Sequence, residues 1–258
     1  MLFDRTSRRV ELTDAGAELL PVARQVLDRL AAARTSAPAR SERPELRVGI
    51  EGQGFAELNN PILSGFIARH PDTRLVVQEC TGMPQAFLDA RFDVALLRTP
   101  LQDERVAVHE VASEPRGLVV PPDHPAAGTE GAAAMEFFDA PFVALGPSLP
   151  RTRDYWLACE FRGGEAPRVG GEANNTWETI LAVAHRGLLT VGCRSFLRSF
   201  PMAGLGFVGT DDLSPNILSV VTRSDETRPM VVEFVEMAKV VASEFAADAI
   251  EISPLAAA

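Results

Sequence analysis

The sequence predicts an α/β protein preceded by a short hairpin and one long helix, and three observations carry that reading. From Leu46 onward, short runs of branched and apolar residues alternate with stretches of helical periodicity. Such alternation implies a mostly parallel sheet covered by helices. The 258 residues, 46% hydrophobic and 23% charged, suffice for one large domain or two smaller ones with real cores. No run approaches the roughly 18–20 apolar residues that span a bilayer.

The chain opens with Leu2-Phe3 and Val10–Leu12 as apolar arms around an Arg-rich turn, Ser7-Arg8-Arg9. A hairpin this small cannot bury its own apolar residues. Thr13 is the expected N-cap of the next helix, with Asp14 and Glu18 near the positive end of its dipole. Leu12, Leu19, Ala23, Val26, Leu30 and Ala33 follow steps of four and three, with Gly16 in the one empty slot. That seam predicts pairing with a second helix. Pro21 should bend the helix or leave one carbonyl free. "TSAPARSERPE" (35–45) is polar, small and Pro-rich, and reads as a linker.

Strands are then expected at 46–50, 74–79 and 93–97, with helices over 55–72 and 84–91. Phe55, Leu58, Ile62 and Phe66 share one face of the first helix. A second set follows, with a strand at 142–145, helices over 152–162 and 176–186, and a strand at 188–192. A last strand at 217–222 precedes a helix over 228–246, whose apolar face holds Val231, Phe234, Val235 and Ala238.

The net charge of −10 is unevenly spread. Residues 1–43 carry eight Arg against six acidic residues, while the remainder carries a charge of −12. The acidic body argues against nucleic-acid binding by the bulk of the chain. Cys80, Cys159 and Cys193 form no disulfide framework, and neither they nor His70, His109, His124 and His185 have metal-ligand spacing. No metal or cofactor is expected. With no secretory signal visible, the expectation is a cytoplasmic protein. Cys193, at a strand end, is expected as a buried, inert thiol facing a cleft.

"LFDRTSRRVELTDAGAELLPVARQVL" resembles the end of the winged helix-turn-helix of LysR-type transcriptional regulators, where it runs into their linker helix. "LRVGI", "NPILSGFIARHPD", "DVALLRTP", "LVVPPDHP" and "ILAVAHRGLLTVG" continue the resemblance in order. It implies two Rossmann-like subdomains of the periplasmic-binding-protein type 2 kind behind a wing remnant (1–12), a dimerising linker helix (13–35) and a linker (36–44). Subdomain I would take 45–120 and 222–258, and subdomain II 121–221. Hinges are expected near Val119–Val120 and Ser219–Val221.

The function implied is a ligand-responsive transcriptional regulator and not an enzyme, a homodimer or homotetramer whose small-molecule effector is an organic acid or polar metabolite. Arg5, Arg8 and Arg9 on the wing would meet the DNA backbone. The base-reading helix that enters the major groove precedes "LFDR" in the family, so DNA would be a partner of the full-length form only. The rival readings are a solute-binding protein of transport, a stand-alone ligand-binding dimerisation partner, or an enzyme on the same fold, for which Glu51 and Cys193 are the candidates.

Strand-to-helix loops of such sheets face a shared crevice. Four can be named: Glu51, Gly52, Gln53 and Gly54; Arg98 and Thr99; Gly146 and Ser148; Asn174, Asn175 and Thr176. Arg98 is the expected fork for a ligand carboxylate, and Glu51 would repel such a ligand unless it turns away or pairs with Arg98. The resemblance places effector contacts at these same four loops.

Overall fold

The computed structural model describes residues 2–5, 10–36, 43–80, 85–146, 150–201, 204–246 and 253–254. The hairpin is formed by β1 (Phe3–Arg5) and β2 (Val10–Leu12), antiparallel with Phe3 opposite Leu12. Helix α1 (Asp14–Ser36) follows and runs through Pro21. Thr13 caps it, its Oγ1 accepting from the Gly16 N–H at 3.2 Å. Gly16 has a steric purpose that the empty slot only hinted at. A Cβ there would stand 2.1 Å from the Leu2 carbonyl oxygen, so only glycine lets the hairpin lie on the helix. Leu19, Val22, Val26 and Leu27 leave α1 exposed to solvent.

Subdomain I is built on a six-stranded sheet in the order β13-β6-β12-β5-β3-β4. Its strands are β3 (Glu45–Ile50), β4 (Arg74–Glu79), β5 (Val94–Leu97), β6 (Val106–Glu114), β12 (Asn216–Arg223) and β13 (Ser253–Pro254). Helices α2 (Asn59–Arg69) and α7 (Pro229–Ala246) cover one face, and a short α3 (Gln85–Leu88) precedes β5. Phe55, Leu58, Ile62 and Phe66 are fully buried, as are Val231, Phe234 and Ala238. The Phe66 and Phe234 rings meet edge to face at 5.5 Å. The 55–72 segment differs from expectation in starting with a short 3₁₀ turn, Ala56–Leu58, before α2.

Subdomain II holds β7 (Arg116–Val120) between β10 (Thr190–Cys193) and β11 (Gly206–Gly209), both antiparallel to it. Beside them β8 (Phe142–Leu145) pairs in parallel with β9 (Val169–Ala173). Helices α4 (Pro150–Trp156), α5 (Thr176–Arg186) and α6 (Arg194–Ser199) complete it. The helix expected over 152–162 stops at Trp156, because Ala158 takes a left-handed conformation (φ 51°) and a 3₁₀ turn replaces the rest.

Two expectations are corrected. The sheet is not mostly parallel: among the described residues of subdomain I, only β3 with β4 and β3 with β5 run parallel, while β12 enters antiparallel to both β5 and β6. The chain leaves for subdomain II and returns from the opposite direction, so its returning strand points the other way. The expected hinge positions do not coincide with the crossings between the sheets. Val119–Val120 and Ser219–Val221 lie inside β7 and β12, where backbone pairing on both sides holds them. The crossings fall at Pro115, between β6 and β7, and at 210–215, between β11 and β12. Pro115 supplies no N–H for a ladder and breaks what would be one long strand. The strands of the six-stranded sheet thus lie within 45–114, 216–223 and 253–254, and those of the second set within 116–209.

Candidate functional site

The loops at the carboxyl ends of β3, β5 and β9 open onto one cavity of about 170 Å³ between the subdomains. Subdomain I contributes Glu51, Gly52, Gln53, Arg98 and Thr99; subdomain II contributes Asn174, Asn175 and Thr176. Gly52, at φ +57°, faces Thr176 across the cleft, where a Cβ would come within 3.2 Å of the Thr176 hydroxyl. Gly54 (φ +54°) and Gly146 sit behind the lining. The Gly146 N–H pairs with the Ala173 carbonyl and steadies the Asn174 loop. Ser148, Arg8 and Arg9 lie outside the described residues, and Arg5 is placed in β1.

The structure uses Arg98 otherwise than as a free fork. Arg98 is 3% exposed, and its guanidinium is bonded to the protein on three sides. Nη1 donates to Glu114 Oε2 at 2.9 Å and to Asn216 Oδ1 at 3.1 Å, Nη2 donates to Ser195 Oγ at 3.0 Å, and Nε donates to the Gly54 carbonyl. Glu114 is the last residue of β6 and Asn216 the first of β12, so both stand at the hinge crossings. Ser195 belongs to α6 of subdomain II, and its N–H also donates to Glu114 Oε1 at 2.8 Å. Asn216 Nδ2 donates to the Tyr155 hydroxyl at 2.9 Å, which ties α4 to the same cluster. Arg116 reinforces the tie, stacking 4.1 Å over the Tyr155 ring and pairing with Glu160 at 2.8 Å. A buried, fully paired cluster of this kind fixes geometry rather than presenting charge to a visitor.

Glu51 neither pairs its carboxylate with the Arg98 guanidinium nor turns away. Its Oε2 accepts the backbone N–H groups of Arg98 (3.2 Å) and Thr99 (3.0 Å). Burial raises its pKa, and those two hydrogen bonds oppose the rise. Gln53 Oε1 is buried and, among the described residues, has no hydrogen-bond partner; the Thr99 hydroxyl lies against the Glu51 carboxylate. An unpaired buried polar atom is costly.

Several lining residues escaped the sequence reading: Cys80, Arg151, Thr152, Arg153, Trp156 and Phe196. Cys80 directly follows β4, so the strand-end rule that found the other loops applies to it as well. Cys193 does line the cavity, and Cys80 joins it there. Burial pushes both thiols up to about 12, so both stay protonated and weakly nucleophilic at neutral pH. The described lining includes no histidine or lysine. Among the described residues no group of His, Cys, Asp and Glu could hold a metal, and no helix is long and apolar enough to cross a membrane.

Comparison with known proteins places this arrangement. Residues 39–242 match the model of the LysR substrate binding domain. The uncharacterized HTH-type transcriptional regulator YnfL of Escherichia coli is 32% identical over 153 residues, 57% of this chain and 52% of that protein. The HTH-type transcriptional regulator ShiR of Corynebacterium glutamicum is 28% identical over 70% of this chain and 64% of its own length. The chain thus spans about half to two thirds of the length of these curated relatives. Among solved structures, full-length BenM superposes with a TM-score of 0.66 at 19% identity, over 95% of this chain and 82% of BenM. CbnR in complex with its target DNA superposes at 0.61 and 18% identity, over 93% and 84%. At those identities the likeness speaks for the fold: two subdomains around a cleft. With the family model covering most of the sequence, the chain belongs to the LysR substrate-binding domain family.

Proposed function

We propose that this chain is the effector-sensing part of a LysR-type transcriptional regulator. The observation that carries the reading is the cavity between the subdomains, walled by Gly52, Gln53 and Thr99 on one side and Asn174, Asn175 and Thr176 on the other. The cavity matches one small polar molecule, since about 150 Å³ accommodates a single benzene ring. Both subdomains contribute walls, so a ligand that fits one mutual orientation better shifts the population toward it. The Arg98–Glu114–Ser195–Asn216 cluster joins those walls to both hinge crossings. The apolar stripe exposed on α1 supports self-association through that helix, and arginines of the wing fit phosphate contacts that position DNA without reading it.

A thermal-shift screen of small polar metabolites, organic acids included, tests the reading. Ligand at 100 times its dissociation constant adds about 2.7 kcal/mol. For a protein of this size that is a rise of about 5–10 °C. Gln53→Ala and Thr176→Ala should reduce the shift. Hits that ignore both substitutions, or a chain that responds to nothing in a broad screen, would remove the proposal.

A further inference from the structure

Helix α6 is short, yet its side chains reach both subdomains and the cavity between them. Arg194 anchors it within subdomain II, pairing with Glu130 and lying 4.6 Å over the Phe207 ring. Phe196 lines the cavity, as does Cys193 at the N-cap. Ser195 reaches subdomain I: its N–H donates to Glu114 Oε1 at 2.8 Å and its hydroxyl to Glu114 Oε2 at 2.7 Å. Three residues on, Arg198 pairs with Glu57 of subdomain I and stands 3.9 Å from Glu114 Oε1.

Glu57 lies in the 3₁₀ turn that follows the cavity loop 51–54. The segment between them is sharply folded. Gly52, Gly54 and Ala56 alternate in the left-handed region, at φ 57°, 54° and 52°. Glycine takes that conformation freely, but alanine holds it only where its surroundings impose it. The Gly54 N–H donates to the Glu51 carbonyl at 2.7 Å, and the Ala56 N–H to the Gln53 carbonyl at 3.0 Å. Ser195 and Glu114 are fully buried, whereas Arg198 and Glu57 are partly exposed. Of these two ties between α6 and subdomain I, the Arg198–Glu57 pair is the one that water reaches.

We infer that the Arg198–Glu57 pair is a clasp across the subdomains, and that Arg198 is a positioning residue for the opposite wall of the cavity. The clasp sets the 51–56 segment against subdomain II, so that Gly52 and Gln53 stand opposite Asn174, Asn175 and Thr176. With the pair broken, the segment relaxes and the two walls part more often. A ligand held by both walls then binds more weakly, in proportion to the fraction of molecules whose walls are assembled. The inference rests on the effector-binding reading for its purpose, but its test needs no ligand, so either can fail alone.

The test is residue-resolved amide exchange of the full chain by NMR, comparing wild type with Arg198→Ala, Glu57→Ala and the double variant. Each single substitution should speed exchange of the Ser195 N–H in subdomain II and of the Gly54 and Ala56 N–H groups in subdomain I. The expected factor is about two- to fivefold, the range that a partly exposed ion pair supplies. The double variant should exchange no faster than the faster single one, because the same pair is lost in all three. Arg198→Lys keeps the charge and should recover most of the protection. Arg194→Gln is the control on the same helix: its partner Glu130 belongs to subdomain II, so Gly54 and Ala56 should keep their wild-type rates. Rates unchanged in Arg198→Ala, or raised only within α6, overturn the inference. So do additive effects in the double variant, or Gly54 and Ala56 amides that respond equally to Arg194→Gln.

Discussion

Replacing Arg98 with methionine removes the guanidinium at the centre of the hinge cluster and leaves Glu114 behind. Glu114 is fully buried, and after the change its carboxylate keeps the two Ser195 bonds and a longer ion pair to Arg198 at 3.9 Å. Breaking a buried ion pair from one side costs about 3–5 kcal/mol, because a charge loses its nearest compensation. At about 2–4 °C per kcal/mol for a chain of this size, the melting temperature should fall by about 6–20 °C. Replacing both partners, Arg98→Met with Glu114→Leu, removes the stranded charge and should restore much of the loss, though Asn216 and Ser195 still lose a partner. Urea titrations of both variants, followed by circular dichroism and tryptophan fluorescence, give the comparison. Trp156 and Trp177 both lie in subdomain II, so separation of the two curves would show the subdomains uncoupling. A loss under about 1 kcal/mol for Arg98→Met, or a double variant no more stable than the single, would refute the buried-pair argument.

Three further outcomes follow from local geometry. Burial by itself would raise the Asp93 pKa, but hydrogen bonds from Arg47 and Arg228 outweigh it and hold the carboxyl below its ordinary value. A depressed folded-state pKa stabilises the protein above the unfolded value near 3.9 and loses that contribution as pH falls through the folded one. Asp93→Asn should therefore cost about 2 kcal/mol at pH 7 in a denaturant titration, with the gap to wild type closing below about pH 4. An equal gap at pH 7 and pH 3 would contradict this. Gly54→Ala places a Cβ 2.7 Å from Ile50 Cγ2 at a positive φ, and should cost about 1–3 kcal/mol while displacing the carbonyl that Arg98 Nε uses. Leu19→Asp with Val26→Asp on the exposed face of α1 should shift sedimentation toward monomer at tens of micromolar, and unchanged sedimentation would remove that helix as an association surface.

The local features were legible from the residues alone because short-range physics sets them. The apolar faces of α2 and α7, the Thr13 cap and the strand-end loops follow from periodicity and capping chemistry within a few residues. The loops after β3 and β5 meet because strand ends of one sheet share an edge, and the loop after β9 faces them from the other subdomain, so Glu51, Gln53, Thr99 and Thr176 could be named before any coordinates. Pairings across long separations were not legible. Arg98 reads as a free cation until Ser195 and Asn216, 97 and 118 residues away, are brought against it. The same holds for β12: its antiparallel entry and the hinge at Pro115 depend on the path through subdomain II, which no local pattern records. Folding thus decides which charges are neutralised inside a low-dielectric cluster and which remain to face a ligand. Arg98 therefore serves the fold inside that cluster, where its sequence position alone would have left it free for an acid.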